Sequence, residues 1–167
     1  MCGRRARADT MLSSELAALF GRDIARLTQE IRAFPDTPSL WTTAPGITNA
    51  AGTLALHLEG NLREYIGRQL GGIAYQRNRP LEFSARDVAQ SELVNRLDAV
   101  QSMIPRVIGV LDAKVFDAPY PERYNGATLT TRQFLLHLLG HLNYHLGQVD
   151  YLRRFVTGDG AIELATL

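Results

Sequence analysis

All four histidines of the chain fall in two stretches, His57 in LALHLEGNL and His137, His141 and His145 in QFLLHLLGHLNYHLGQ. A spacing of four puts two helical side chains on one face about 5 to 6 Å apart. His141 and His145 can therefore reach one ion, the geometric reason a zinc protease helix uses His-x-x-x-His. With Phe134 as the origin of a helical wheel, Leu138, Leu142, Val149, Leu152 and Val156 lie within about 80°, and His141 and His145 fall in or beside that sector. An imidazole pointing inward needs partners, because an unpaired buried polar group costs about 1 to 3 kcal/mol. Spacing alone admits two answers: a shared metal ion, or pairing with core hydroxyls and helix ends. For a metal, the third ligand must come from another helix, and His57 is the only histidine outside the fourth helical segment.

Three neutral imidazoles with the remaining positions open describe a catalytic type of metal site rather than a closed structural one. The donor set suits a divalent ion, nickel or zinc first, then iron or manganese. His137 lies about 40° further round the wheel than His141 and is read as a supporting residue, not a ligand. Asn61 and Gln148 share the ligands' side of their helices; each could bond an imidazole or a metal-bound water as a supporting residue, and taken singly each is equally well an ordinary boundary polar residue. Glu59, Tyr65, Tyr144 and Asp150 are conceivable acids or bases, but no spacing singles one out, so catalytic residues stay unassigned. The chain holds no GxSxG, phosphate loop or dinucleotide fingerprint.

Helices must position these groups. Leu16, Phe20, Ile24, Leu27, Ile31 and Phe34 recur at steps of three and four, until Pro35 and Pro38 end the pattern. The stretch PDTPSLWTTAPGI reads as a loop whose Trp41 covers one end of the core. A second segment, Thr48 to Leu70, gathers Leu54, Leu58, Leu62 and Tyr65 in one sector flanked by His57 and Asn61. Gly71 and Gly72 follow, then GGIAYQRNRPLEFS, which lacks a helical period and is long enough for a crossover; a short strand at Ile73–Tyr75 is left open. The third segment is expected to open at Ser84 with Asp87 three residues on, and to carry Val94, Leu97, Val100, Ile104, Val107 and Leu111, bent at Pro105. After the turn-rich DAPYPERYNGAT, Thr130 and Gln133 form a capping box for a fourth segment ending near Thr157 and Gly158.

Four long segments without a convincing period-2 run predict an all-α protein, a four-helix bundle in one domain over residues 1–167, with 1–10 expected to be disordered. The 167 residues, 46% hydrophobic, suffice for one core. A net charge of +1, from 18 basic and 17 acidic side chains, offers no excess field for nucleic acid or an anionic membrane. Cys2 is the only cysteine, which excludes an internal disulfide and a thiolate-rich zinc site and reads as an exposed thiol. The basic start lacks the apolar core of a signal peptide, so a cytoplasmic location is expected.

The strings LALHLEGNLREYIG and LLHLLGHLNYHLGQVDYLRR resemble the DinB-like family of metal-binding helical bundles, over nearly the whole chain. In that family one histidine comes from the second helix and two from a His-x-x-x-His-x-Gly-Gln motif on the fourth, matching His57, His141 and His145, with Gly147 and Gln148 completing the motif. The resemblance implies an up, down, down, up path with a crossover after the second helix, a small-molecule pocket at the metal, and a homodimer. Relatives include bacillithiol transferases and mycothiol-dependent maleylpyruvate isomerases, in which the metal activates a thiol. The function expected is thus a metal-dependent transferase that activates a low-molecular-weight thiol, such as bacillithiol, mycothiol or glutathione, or water. The alternatives are a metal-dependent hydrolase and a non-enzymatic, stress-related binding protein.

Overall fold

The computed structural model describes residues 2–163, with side chains from residue 11 onward, and the thiol assigned to Cys2 lies outside the described side chains. Seven α-helices and one π-helical segment make up the described fold: α1 Cys2–Arg32, α2 Thr37–Leu40, α3 Ala51–Leu62 continued by π-helical Arg63–Arg68, α4 Arg79–Ser84, α5 Gln90–Gly109, α6 Ala113–Asp117 and α7 Thr131–Thr157. Among the described residues no strand forms; Pro119 with Thr130 and Tyr124 with Ala127 make isolated bridges, and Ile73–Tyr75 belongs to an irregular stretch. The protein is all-helical, and no described helix is long and apolar enough to cross a membrane.

The three-and-four pattern of α1 is its buried face: Leu16, Phe20, Ile24, Leu27 and Ile31 are all inside the core, and Phe34 follows them there. The α1 backbone also takes in residues 2–10, set aside in the sequence as disordered; the stretch is rich in alanine and arginine, both strong helix formers. Pro35 ends α1, and Asp36 starts α2 with a capping box to Ser39, placing a helical turn inside the expected loop. Trp41 packs partly buried against the core, its Nε1 donating to the Val88 carbonyl at 3.3 Å.

The third long helix begins at Gln90, not at Ser84. Ser84 instead ends α4, and Asp87 takes a left-handed backbone (φ 63°) that a continuing helix cannot accommodate. The Gln90 side-chain amide donates to the carbonyls of Ile31 (2.9 Å) and Phe34 (2.7 Å), while its backbone N–H donates to Thr37 Oγ1 (3.1 Å). The Gln90 side chain thus satisfies carbonyls at and just beyond the end of α1, and Thr37 of α2 satisfies a backbone N–H at the start of α5. α5 then runs back along α1, with Pro105 facing Gly21, and also packs on α3 and the π-helical segment; Leu93, Leu97, Val100, Ile104 and Val107 are buried, Val107 against Gly71.

α3 is buried on every side, packed by α1, α4, α5 and α7. Leu54, Leu58 and Leu62 are buried as their shared sector predicts, and with neighbours all round the remaining positions of α3 are buried too. Beyond Leu62 the hydrogen bonds lengthen to the i→i−5 pattern, as in Gln69 N–H to Glu64 O and Gly71 N–H to Ile66 O. Tyr65 remains packed against the core, partly buried, with its ring 5.5 Å from that of Phe134. α7 matches its sequence signals at both ends: Thr130 and Gln133 form the capping box, and Gly158 closes the helix at φ 76°.

A buried ion pair ties α1 to α7, Arg153 Nε donating to Glu30 Oε2, with both side chains almost fully removed from water. Arg153 Nη2 also donates to the Gly160 carbonyl at 2.9 Å, pinning the chain beyond α7. Removing one partner strands the other charge in the core, whereas replacing both removes the stranded charge. Arg153→Met should therefore cost about 3 to 5 kcal/mol in urea unfolding, and the Glu30→Leu/Arg153→Met double variant distinctly less than that single change.

Candidate metal centre

α3 and α7 bring His57, His141 and His145 together, one ligand atom from each lying within 4.8 Å of the others. His57 Nε2 faces His141 Nε2 at 3.2 Å. The His57 and His145 ring centroids are 5.4 Å apart, and those of His141 and His145 4.6 Å, each pair nearly perpendicular. His57 is buried and the two α7 histidines are half-buried.

Hydrogen bonds decide which ring nitrogens carry protons. His57 Nδ1 lies 3.1 Å from Glu82 Oε2, and a carboxylate only accepts, so Nδ1 is the donor and Nε2 keeps its lone pair. Arg77 Nη2 sits 3.4 Å from the same Nδ1, too far to compete with the carboxylate. His145 Nδ1 pairs with Gln148 Oε1 at 2.7 Å, which again leaves Nε2 bare. His141 Nδ1 is buried with no partner. Two bare imidazole nitrogens and a third unsatisfied ring thus converge, an arrangement that repels itself unless a proton or a cation sits among them.

The Glu82 carboxylate is held in a fork. Arg77 Nε donates to Oε1 at 2.7 Å and Nη2 to Oε2 at 2.8 Å. Burial alone would raise this carboxyl, but the bonds and charge of Arg77 and His57 outweigh it and hold it below the ordinary carboxylate value. Phe83 covers the His57 ring at 4.9 Å, and Arg79 lies over Phe83 at 5.1 Å.

Gly60 makes this approach feasible. A Cβ at position 60 would sit 2.2 Å from Glu82 Oε1, so any side chain there would push the carboxylate away from His57. Glu82, Arg77 and Gly60 have no place in the histidine pattern, and α4 lies in a stretch read as lacking a helical period. A signal for α4 does exist in NRPLE: Asn78 caps the helix by accepting from Leu81 N–H, Pro80 sits in its first turn, and Glu82 follows.

The other candidates fall as follows. His137 is 6.4 Å from His141 by ring centroid and packs on Tyr124 at 4.4 Å, apart from the three-histidine group. Asn61, one turn beyond His57, is buried and its Oδ1 has no hydrogen-bond partner. Glu59 is engaged with Arg63, and Asp150 with Arg153 and Arg154. The Tyr65 ring lies under Arg77 and its carbonyl accepts from Tyr120 OH. Tyr144 alone of the four acid or base candidates lies against a clustered histidine, its exposed ring 5.1 Å from His145.

No protein-family model and no curated protein matches the sequence. Among solved structures the chain is similar to a DinB-like protein from Bacillus cereus ATCC 10987, known from a crystal structure at 2.01 Å resolution. The two share 15% sequence identity with a TM-score of 0.67, over 85% of this chain and 91% of the other. The likeness extends to the fold, and the three-histidine group is compatible with metal binding.

Burial lowers the His141 imidazole from an ordinary 6.5 to about 4, with His145, His57 and His137 adding to the effect. Burial also lowers His145, against the opposing bond to Gln148. Between those pH values the unfolded chain binds protons that the folded chain refuses. His141 therefore supports the fold above pH 6.5, and that support is lost as the pH falls toward 4. Chelator-treated protein should show a falling urea midpoint across this window, with a visibly shallower fall in His141→Leu.

Proposed function

We propose that the chain is a DinB-like metal protein in which His57, His141 and His145 hold one divalent ion, nickel or zinc. The carrying observation is the convergence of two bare imidazole nitrogens, of His57 and His145, with the His141 ring, whose buried Nδ1 has no partner. The 3.2 Å between His57 Nε2 and His141 Nε2 suits two ligands of one ion, since metal–nitrogen bonds of 2.0–2.1 Å put neighbouring donors about 3.0 to 3.4 Å apart. In this reading the four long segments form an up, down, down, up bundle, with residues 69–89 crossing between the second and third.

Glu82 fixes the tautomer and direction of His57, Gln148 does the same for His145, and Arg77 keeps Glu82 ionised. Phe83 excludes water from one side of the His57 ring. When bound, the ion supplies the Lewis acidity that makes a thiol or water nucleophilic at neutral pH. The reaction we favour is transfer of a low-molecular-weight thiol to an electrophilic acceptor, because Glu59 and Asp150, the carboxylates a hydrolase would want as bases, are tied to arginines.

Elemental analysis of purified protein should find close to one nickel or zinc per chain, and an equal content in the His141→Ala/His145→Ala variant would sink the assignment. Metal-loaded protein should consume bacillithiol, mycothiol or glutathione with an electrophile such as chlorodinitrobenzene; turnover of esters or lactones without thiol would point to hydrolysis instead.

Loss of the carboxylate support should weaken metal binding without unfolding the chain. Glu82→Gln and Gly60→Ala are each expected to lower zinc affinity by about 10- to 100-fold in titration calorimetry, with helical circular dichroism retained. Unchanged affinity in both would mean that His57 needs no such support.

A further inference from the structure

A cavity of about 540 Å³ opens one helical turn from the histidines, between α7 and the chain leading into α3. It falls within the ~300–1,000 Å³ range of small-molecule sites. Its walls are Leu54, one turn before His57 on α3, and Leu152, one turn beyond Gln148 on α7. Ile47, Tyr151 and Phe155 form its rim and leave much of their surface in water, an arrangement that costs free energy unless something covers it. None of the described residues lining it is charged.

Gln148 lines this cavity and also accepts from His145 Nδ1 through Oε1, which leaves its amide NH2 for another acceptor. One side chain therefore belongs both to the cavity and to the histidine cluster.

We propose that this cavity binds an uncharged, aromatic or similarly apolar molecule and directs a single acceptor group of it to Gln148, beside the metal. The inference rests on the metal reading for its functional meaning and names the acceptor's class: a neutral apolar electrophile, with no place here for the carboxylates of a peptide thiol. A carboxylate or sulfonate seated between Leu54 and Leu152 would lose its hydration against a lining without a charged side chain, while Arg154, 5.4 Å over the Tyr151 ring at the rim, is already paired with Asp150. Phe155, and Tyr151 on the side away from Arg154, instead offer faces for a planar ring.

The test uses two fluorescent probes of one skeleton, N-phenyl-1-naphthylamine and its sulfonated relative 8-anilinonaphthalene-1-sulfonate, titrated into the full chain with and without nickel. The neutral probe should bind in a one-to-one complex, and the sulfonate at least about tenfold more weakly. Ile47→Asp and Phe155→Ala, both at exposed rim positions, should each weaken the neutral probe at least about fivefold while circular dichroism and nickel content stay as in the parent. Equal affinity for the two probes, or indifference to both rim changes, would overturn the proposal. Its fate is separable from that of the metal site: nickel bound with no neutral probe removes the cavity's role alone, whereas probe bound by a chain that takes up no metal keeps the cavity as an apolar site and removes the ion.

Discussion

Imidazole nitrogens withdrawn from water must find a proton donor, an acceptor or a cation, and the architecture around α3 is arranged by that demand. His57 answers it on one side through Glu82, which in turn requires Arg77, and Glu82 reaches the helix because position 60 is glycine. His145 answers it through Gln148. What remains on the inner side are the bare nitrogens of His57 and His145 facing the His141 ring, an arrangement compatible with metal binding.

Placing such polar groups beside a core is affordable because the core itself is continuous. α1 and α5 supply an apolar wall with few polar interruptions, and α3 is enclosed on every side. Polar links that do cross the interior are paired: Glu30 with Arg153, and Asp23 with Arg22, Arg26 and Asn143. Both links run from α1 to α7, which fixes the helix carrying His141 and His145 along its length. Rigid placement of α7 lets His145 and His141 meet His57, which lies 84 residues before His141 in sequence.

The long helices and the histidine cluster were legible because both rest on local rules. Apolar residues at three-and-four spacing marked α1, α5 and α7, and the Thr130–Gln133 box and Gly158 marked the ends of α7 to the residue. The i, i+4 spacing of His141 and His145 fixes their common face once the helix is given. The start of α5 was missed because its cap is tertiary: Gln90 is satisfied by carbonyls of α1, and nothing in the neighbourhood of Gln90 itself announces them. The support behind His57 was missed for a related reason. Glu82 and Arg77 lie in a connection, and their relation to His57 depends on how that connection folds back, which no periodicity encodes. The π-helical turn at Arg63–Arg68 likewise has no signature in a pattern counted at 100° per residue.

Connections are ordinarily the places where a protein tolerates insertion and drift, since their backbone faces water and few contacts depend on their length. The segment between Gly72 and Asn78 is an exception hidden among tolerant neighbours. It begins at a left-handed glycine, ends at the cap of α4, and carries Arg77 five residues before the carboxylate it clasps. An added or lost residue there would leave every long helix intact and still move the clasp out of register with α3. The chemistry of this helical protein is therefore answerable to the length of one short irregular stretch, and divergence among proteins of this shape can alter the site without touching a histidine.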